Sequence, residues 1–400
     1  MPAIYQARWV LPIVQPPIAY GWVAVARGRI VDVGGPGAIP SGGSPDLRYT
    51  EHAILPGLVN AHTHLELSWM RGRVPPAPTM PRWVERLMAL RRTVRHEPAP
   101  PIEDAIGDAR AAGTALVGDV TNTLAAYAAL AGSGMSGAIF RELLGFNVAD
   151  PAALVAATRA EIEALPWNRR LRPSIVPHAP YSVSPALLRA IAEEAGDAPI
   201  SIHLGESAEE VQFLRDGTGP WRALLAELGV WSDEWQAPAA GPVAYIEAQG
   251  LLNERLLAVH CVQLTDSELQ RLADARATVV TCPRSNRWTG AGLPPIERFY
   301  GSGVRVAVGT DSLSSVEDLN VFEELKLMHA LAPAVPARDL LASATKHGAD
   351  ALGFGNDFGT IEAGKCAELI AVRLQGDTAD VEEYLVTGVE PSLITWVGGD

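Results

Sequence analysis

The sequence predicts an α/β fold: a TIM (β/α)8 barrel joined to a small β-sandwich that both ends of the chain build. Three observations predict this fold. Apolar strand-like segments alternate with helical segments through the middle of the chain, as in parallel βα units. Several of these strands stop at a histidine or an acidic residue. Short strands with glycine and proline turns occur near both chain ends.

The first predicted barrel strand ends in two histidines one residue apart. An apolar run from Ile54, with a Pro-Gly break, leads to His62 and His64. Because residues i and i+2 of a strand point to the same face, both imidazoles aim at one point at the strand's carboxyl end. Neutral imidazole is a common ligand of divalent metals. Such a pair alone is more often structural, so the prediction depends on further ligands.

Later strands supply those ligands. The polar residues at or just after their carboxyl ends are His203 and Glu206, then His260, then Asp311. Each of these residues alone could also be a buried core residue whose hydrogen bonds are satisfied within the protein. Four strands that end in this way within one chain indicate a common metal site.

Eight strands and six main helices are expected between the chain ends. After the strand with the paired histidines, the strands span 114–120, 138–144, 173–177, 200–204, 256–261, 278–282 and 304–309. The helices span 102–111, 151–165, 185–195, 267–273, 321–330 and 337–348. Eight βα units favour a closed barrel with its chemistry at the carboxyl ends of the strands. An open sheet is the alternative, although ligands on strands this far apart converge more easily in a barrel.

The predicted domain boundaries follow from this pattern. The β-sandwich comprises residues 1–55 and 356–400, and the catalytic barrel comprises residues 56–355. Residues 20–34 look like a β-hairpin with a tight turn. The sandwich is complete only when strands from the two ends pair.

Two long connections leave the predicted catalytic face. Residues 66–86 and residues 207–255 both carry tryptophans. Long loops at an active face are candidate lids and substrate walls. For the second connection, aromatic packing at a subunit contact is an equally good interpretation, and it would fit a homodimer.

Composition and charge exclude several classes of partner. The chain has 400 residues and a formal net charge of −14, which argues against nucleic acid and anionic membranes as partners. No apolar run approaches the ~18 residues of a membrane span, and the N-terminus lacks the pattern of a secretory signal. The three scattered cysteines are typical of a reducing compartment. We therefore expect a cytoplasmic enzyme that acts on a small molecule.

The residues indicate one divalent metal ion per chain. Three imidazole nitrogens and a carboxylate leave room for a water in a catalytic site. The expected ligands are His62, His64, His203 and Asp311. Some metal-dependent hydrolase barrels bridge two ions with a modified lysine in the middle of the barrel. No lysine lies in the first three-quarters of this chain, whose only lysines are Lys326, Lys346 and Lys365.

Each acid or base has an expected role at such a site. The metal lowers the pKa of its water from 15.7 toward ~7, which supplies hydroxide at neutral pH. Asp311 can bind the metal and also accept a proton from this water. Glu206 can carry a proton to a ring nitrogen or a leaving group, unless it is a solvated loop carboxylate. His260 can hydrogen-bond the hydroxide or the developing oxyanion, unless it only supports its neighbours.

Two segments beyond the strands are candidates for substrate contact. His178 lies between two prolines at the expected barrel mouth, although a structural turn is the alternative. Residues 281–286 follow the seventh strand and carry Ser285 and Asn286. Their polar groups could line the pocket, or Asn286 could cap the turn.

With these residues, the chain resembles the amidohydrolase superfamily, and within it the cytosine deaminase and chlorohydrolase branch. The matching segments cover nearly the whole chain and are 56–64, 177–181, 203–207, 282–286, 309–312 and 359–365. The resemblance implies one zinc ion, or iron as the alternative, and hydrolytic deamination of an aromatic ring amine. The metal ligands that it implies are His62, His64, His203 and Asp311. The acid/base residues that it implies are Glu206, His260 and Asp311, and the substrate-binding histidine is His178.

The chain is also similar to aminodeoxyfutalosine deaminases of menaquinone biosynthesis. Residues 65–68, 219–221 and 242–246 carry this similarity, whereas residues 288–290 depart from the usual Lys-Leu-Gly-like continuation. Their substrate is an adenine nucleoside with a benzoate, which needs an arginine partner. The candidate arginines are Arg82, Arg141, Arg215, Arg284 and Arg287. The other expected substrate contacts are Glu66, Trp69 and Ser285.

Other functions stay open. The same metal site could hydrolyse another C–N or C–Cl bond, as in chlorohydrolases and cyclic amidases, or deaminate S-adenosylhomocysteine or guanine. A metal-binding protein without turnover is a third class, and the joint presence of Glu206, His260 and Asp311 argues against it. The Pro-Cys-x-x-Cys signature of a separate group of zinc deaminases is absent from the sequence.

Overall fold

The computed structural model describes residues 2–37, 47–93, 102–376 and 378–397 of the chain. Its strands are β1 Ala3–Val10, β2 Ile18–Ala19, β3 Trp22–Ala26, β4 Arg29–Gly34, β5 Leu47–Pro56, β6 Leu58–Thr63, β7 Thr114–Thr121, β8 Ser136–Leu143, β9 Leu171–Pro177, β10 Ile200–Leu204, β11 Leu256–His260, β12 Thr278–Thr281, β13 Arg305–Val308, β14 Leu369–Arg373 and β15 Ile394–Val397. Its α-helices are α1 Met80–Thr93, α2 Ile102–Ala111, α3 Tyr127–Ser133, α4 Pro151–Glu163, α5 Pro185–Glu194, α6 Ala208–Asp216, α7 Pro220–Glu227, α8 Pro242–Glu247, α9 Asp266–Asp274, α10 Pro283–Thr289, α11 Ile296–Gly301, α12 Val321–Leu331, α13 Ala337–Ser343, α14 Lys346–Ala351 and α15 Val381–Val386. Two 3₁₀ helices span Leu65–Met70 and Pro391–Leu393.

The eight strands expected in the middle of the chain form two parallel four-stranded sheets. One sheet has the order β6-β7-β8-β9 and the other the order β10-β11-β12-β13. Backbone hydrogen bonds link the two sheets on both sides. The amides of Thr310 and Asp311 donate to His62 O at 3.1 and 3.0 Å, and the amide of His203 donates to His178 O at 2.9 Å. The carboxyl end of β6 therefore meets that of β13, and the carboxyl end of β9 meets that of β10.

Close packing of these strands depends on a glycine beside the paired histidines. Strands β6, β7, β10, β11 and β12 are buried along their whole length, as expected for parallel strands covered by helices. A Cβ on Gly309, just past β13, would come within 2.7 Å of His62 O. Since no side chain fits there, glycine allows the approach that brings Asp311 next to His62.

Strands from both chain ends pair in one seven-stranded sheet. Its order is β15-β14-β5-β1-β3-β4, with β2 paired to β1. C-terminal β14 runs antiparallel to N-terminal β5, as the sequence predicts for the two ends. The expected hairpin is β3-β4, and its two turn residues, Arg27 and Gly28, both have positive φ, as a type I′ turn requires. The second layer of the predicted β-sandwich and the domain boundaries at residues 55 and 356 stay predictions.

The helices depart from expectation in two places. Residues 337–348 form two helices, α13 and α14, because the backbone at Thr345 (φ −136°, ψ −92°) leaves the helical region. The two long connections are also more helical than predicted. The first contains a 3₁₀ helix and α1, and the second contains α6, α7 and α8. In the described residues, no helix is long and apolar enough to cross a membrane.

Candidate active site

Four histidines and an aspartate, from the ends of four strands, come together at the carboxyl ends of the sheets. The ring centroid of His62 lies 4.9 Å from that of His64, 5.0 Å from His203 and 5.7 Å from His260. Asp311 Oδ1 lies 3.5 Å from His64 Nε2 and 3.9 Å from His62 Nε2. The four expected metal ligands are therefore neighbours in space, although they are far apart in sequence.

This cluster fits a divalent metal ion. Both ring nitrogens of His62 are buried and have no hydrogen-bond partner among the described residues. Burying a polar atom without a partner costs free energy, so such an atom calls for an explanation. Ligand atoms of His62, His64 and Asp311 all lie within 4.8 Å of one another, as do those of His62, His203 and His260. Imidazole nitrogens with a carboxylate oxygen are a donor set typical of zinc.

A lowered pKa favours the neutral, metal-ligating form of His62, His203 and His260. Burial, followed by the neighbouring imidazoles, lowers the pKa of His62 well below its usual value. Burial is also the main cause that lowers the pKa of His203 and that of His260 to about 3. Because only a neutral imidazole offers a nitrogen lone pair, the cluster is ready to hold a cation at neutral pH.

Hydrogen bonds to the outer ring nitrogens distinguish His203 from His260. His203 Nδ1 lies 2.8 Å from His178 O and can only donate to that carbonyl, which leaves its Nε2 lone pair free for a metal. By contrast, Asn286 Nδ2 donates to His260 Nδ1 at 3.0 Å. A neutral His260 then carries its proton on Nε2, so it is arranged as a hydrogen-bond donor and not as a ligand.

Asp311 is fixed from behind by two serines. Its Oδ2 accepts hydrogen bonds from Ser285 Oγ at 2.6 Å and from Ser315 Oγ at 3.4 Å. Its other carboxylate oxygen, Oδ1, faces His64 and His62. The residue has φ +60°, a left-handed conformation that non-glycine residues seldom adopt and that concentrates at functional sites. Ser285, expected to contact substrate, instead orients Asp311.

Glu206 is a buried carboxyl group that faces His260. Its Oε1 lies 3.6 Å from His260 Nε2, and its side chain is 2% exposed. Its Oε2 has no hydrogen-bond partner among the described residues. Burial, and then the negative charges of Asp311 and Glu210, raise the pKa of Glu206 well above its usual value. A raised pKa favours the protonated carboxyl group, so Glu206 is suited to donate a proton.

Two further carboxyl groups support the site and were missed in the sequence. Glu210 accepts hydrogen bonds from the amides of Gly205 and Glu206, at 2.8 and 3.1 Å, and so fixes the turn that carries Glu206. Asp119 on β7 accepts from the amide of Leu65 at 2.9 Å, directly after the paired histidines. The Ser207-x-x-Glu210 spacing, typical of a helix start, was a signal for Glu210.

A cavity of about 450 Å³ opens above this cluster. Its floor is polar and includes His64, His178, His203, Glu206 and Asp311. Its walls are mostly apolar, and two helices contribute a large part of them. Those residues are Met80, Trp83, Val84, Leu87 and Met88 of α1, and Trp221, Leu224 and Leu225 of α7. A ligand in this cavity would meet polar groups at one end and apolar surface along its length.

The second long connection forms part of this cavity. Trp221 lies on the wall and stacks on Tyr181, with ring centroids 4.2 Å apart. Trp235 stacks on Phe213 at 4.6 Å, and Trp231 stacks on Phe146 at 5.7 Å. These tryptophans pack within the chain, which favours the substrate-wall interpretation over a subunit contact. A homodimer stays a prediction.

The expected substrate residues divide into those at the cavity and those elsewhere. His178 lines the cavity, its Nδ1 lies 2.6 Å from Ser182 Oγ, and burial lowers its pKa to about 3. The lining does not include the other predicted contacts, which are Glu66, Trp69, Arg82, Arg141 and Ser285.

All five of these residues contact other groups of the chain. Glu66 accepts hydrogen bonds from Asn122 N and the hydroxyls of Thr121 and Thr123. Trp69 lies under the guanidinium of Arg73. The two arginines pair with carboxylates on the surface, Arg82 with Glu85 and Arg141 with Glu161. We therefore do not propose Glu66, Trp69, Arg82, Arg141 or Ser285 as substrate contacts.

The arginine that does line the cavity is Arg91, on α1. It continues the helical spacing of Met80, Val84 and Leu87, whereas Arg82 points from another face of the same helix. The spacing i, i+3, i+4, i+7, i+8 and i+11 from Met80 was visible in the sequence as the stripe of an amphipathic helix. This helical stripe was not recognised, because residues 66–86 were predicted to be a loop.

Known proteins are similar to this chain in sequence and in fold. The profile of the amidohydrolase family matches residues 53–392. A 5-methylthioadenosine/S-adenosylhomocysteine deaminase from Moorella thermoacetica is 31% identical over 384 residues, which cover 92% of this chain and 84% of the relative. An aminodeoxyfutalosine deaminase from Deinococcus radiodurans is 32% identical over 354 residues, 82% of each chain. The fold is also similar to a crystal structure of an adenosine deaminase from Xanthomonas campestris with bound zinc, with a TM-score of 0.84 and 28% sequence identity. The superposition covers 100% of this chain and 92% of the chain of that deaminase.

Proposed function

The chain belongs to the amidohydrolase family and is a hydrolase of carbon–nitrogen bonds other than peptide bonds, and on this basis we propose that it deaminates an adenine nucleoside by hydrolysis. The relatives named above are deaminases of such compounds. The observation that carries the proposal is the buried carboxyl group of Glu206, whose pKa is raised, beside His260 at the floor of the cavity. An acid at this place is what protonation of a purine ring nitrogen requires.

His62, His64, His203 and Asp311 would hold one divalent ion, with zinc as the proposed ion and iron as the alternative. When bound, the ion lowers the pKa of a water toward ~7 and so makes a nucleophile available at neutral pH. The protein residues then have separate tasks. Asp311, oriented by Ser285, accepts a proton through the carboxylate oxygen that faces the histidines. His260 donates its Nε2 proton to the oxygen that adds to the ring.

Proton transfer by Glu206 completes the reaction. Addition of water to the ring carbon that bears the amine places negative charge on the adjacent ring nitrogen. Glu206 donates a proton to this nitrogen, a role that its raised pKa favours. Asp311 returns the proton that it accepted to the amine, which leaves as ammonia. The proton of the added hydroxyl passes to Glu206 as the ring carbonyl forms, so both carboxyl groups regain their starting state.

We propose aminodeoxyfutalosine as the substrate and menaquinone biosynthesis as the pathway. Apolar walls from α1 and α7 suit a nucleoside with an extended apolar group, and Arg91 suits a carboxylate at its far end. The similarity to the aminodeoxyfutalosine deaminase of Deinococcus radiodurans supports this choice.

We also propose that the two parallel sheets form one closed TIM (β/α)8 barrel. The hydrogen bonds from Thr310 and Asp311 to His62, and from His203 to His178, support closure on both sides. A closed barrel would explain why ligands from β6, β10 and the end of β13 converge.

Ammonia release against a panel of ring amines tests the proposed function. The panel contains aminodeoxyfutalosine, 5′-methylthioadenosine, S-adenosylhomocysteine, adenosine, guanine, a pterin and a chlorotriazine. We expect ammonia from the adenine nucleosides, with the highest kcat/KM for aminodeoxyfutalosine. Chloride release from the triazine without ammonia from any nucleoside would instead identify a chlorohydrolase.

A further inference from the structure

We propose that a second, basic cavity at the opposite end of the parallel strands binds a small anion that carries phosphate groups. The cavity has a volume of about 330 Å³. Its charged residues are Arg27, Arg29, Arg169, Arg170, Arg172, Asp357 and Glu368. Neither the family match nor the proposed reaction requires such a site.

The position of this cavity separates it from the candidate active site. Ser136, the first residue of β8, lines it, and Arg169, Arg170 and Arg172 lie where β9 begins. The candidate active site lies at the carboxyl ends of these strands. Since a strand rises about 3.3 Å per residue, the eight residues of β8 hold the two sites roughly 25 Å apart. A ligand here could not reach the reacting atoms.

The charges around the cavity are not balanced. Five guanidinium groups face two carboxylates. Asp357 is shared between Arg29 at 2.9 Å and Arg172 at 3.8 Å. Glu368 lies 3.6 Å from Arg170 and 2.7 Å from Arg110, an arginine outside the lining. These carboxylates are therefore already occupied.

Two arginines at the cavity have no counter-charge. Within the described residues, the structure gives neither Arg27 nor Arg169 an ion pair or a side-chain hydrogen bond. Three positive charges thus remain in excess at one place, in a chain whose formal net charge is −14. Like charges held close together repel one another, and a bound polyanion would relieve that repulsion.

The residue type and the walls define the ligand class. The planar guanidinium offers two parallel donors that match the oxygens of a phosphate group. An excess of three positive charges favours a ligand with at least two negative charges over a single carboxylate. Phe354, which lies 3.8 Å under the guanidinium of Arg172, and Phe358 add an apolar wall. A small phosphate-bearing anion meets these features together.

Isothermal titration of the metal-loaded chain with inorganic pyrophosphate, at fixed ionic strength, tests the proposal. We expect one saturable site per chain. Arg27→Ala/Arg169→Ala should weaken binding at least tenfold, because it removes the two unpaired cations and leaves the ion pairs of the cavity intact. The matched control is Arg48→Ala/Arg287→Ala, which removes two exposed arginines outside the cavity that also form no ion pair with described residues.

The variants also separate this site from other sources of binding. Pyrophosphate bound to an active-site ion would bind Arg27→Ala/Arg169→Ala with unchanged affinity, and that result would overturn the proposal. An equal loss in the control variant would show attraction to surface charge alone, which overturns it too, as does the absence of saturable binding. Ammonia release is measured in parallel, so that a failure of the proposed deamination is recognised independently of this site.

Discussion

At the scale of single residues, the reaction depends on where protons are held. Glu206 is buried with one oxygen facing His260 Nε2 and the other without a partner among the described residues. We predict that Glu206→Gln lowers kcat by roughly 10²–10⁴-fold, because the amide keeps the shape but cannot transfer a proton. Ammonia release and metal analysis of the purified variant check this. Metal content should be unchanged; loss of the metal would make Glu206 a ligand, and a near-normal kcat would place the proton on another group.

Asn286 is a positioning residue whose donor sets the tautomer of His260. Asn286→Asp replaces this donor with an acceptor, so the proton of His260 should move to Nδ1 and leave Nε2 without one. We predict a fall in kcat of roughly 10²-fold, with the KM little changed. A pH profile of kcat separates this role from a structural one, since a carboxylate also raises the pKa of the imidazole and shifts the profile. An unchanged kcat and profile would mean that His260 does not act through Nε2.

Single residues also mark the limit of what the sequence predicts. His62, His64, His203 and Asp311 could be grouped because each ends a strand, and parallel strands bring their carboxyl ends together. Ser285 was predicted to contact substrate, and its hydrogen bond to Asp311 was not foreseen, since this contact depends on the backbone turn after β12. No spacing rule reports the direction of such a side chain.

At the scale of elements, the proposed choice of substrate depends on α1, which lines the cavity. Arg91 ends an otherwise apolar stripe along the cavity. We predict that Arg91→Met lowers kcat/KM for aminodeoxyfutalosine about tenfold, mainly through KM, because a charged hydrogen bond contributes on the order of 1.5 kcal/mol. Activity on 5′-methylthioadenosine, which has no carboxylate, should not change.

Arg92→Met is the matched control for this prediction. Arg92 is the next residue on the same helix and lies outside the cavity lining. It should therefore leave kcat/KM for both nucleosides near the wild-type value. Equal losses in Arg91→Met and Arg92→Met, or equal losses on both nucleosides, would remove Arg91 as the carboxylate partner.

Elements differ in how well the sequence predicted them. Apolar strands with polar ends were located to within two residues, since their burial on both faces leaves a distinct apolar run. Helices α1, α7 and α8 were treated as parts of loops because aromatic residues and prolines suggested irregular structure. Pro220 and Pro242 in fact occupy the first turns of α7 and α8, where proline is favoured.

At the scale of the whole molecule, the sheet from the chain ends is tied to helix α2, which precedes strand β7. Trp396 of β15 donates to Arg110 O at 2.9 Å, and the Arg110 guanidinium lies 3.3 Å over its ring. We predict that Trp396→Ala lowers the free energy of unfolding by about 3 kcal/mol, as burial and the cation–π contact are lost together. Urea unfolding measures it. Trp167→Ala is the control, because Trp167 is 87% exposed, and its effect should stay within ~0.5 kcal/mol. If Trp396→Ala and Trp167→Ala lowered the free energy of unfolding equally, β15 would contribute little to stability.

The predicted family is confirmed at this scale, because the match extends over residues 53–392. The substrate could not be derived in the same way. The floor carries the proposed metal ligands and acids, whereas the walls that would select the substrate include α1 and α7, whose positions follow from tertiary packing. Residues such as Arg91 become candidates only once the helix is placed over the cavity.

The central claim is that one metal ion, held by His62, His64, His203 and Asp311, allows this chain to deaminate an adenine nucleoside. The most direct measurement follows ammonia release from aminodeoxyfutalosine by chelator-treated protein while zinc is added back. The account predicts no activity without metal and a linear rise that ends at one zinc per chain. Full activity of the metal-free protein, a rise that ends only at two ions per chain, or no ammonia at any zinc content would contradict it.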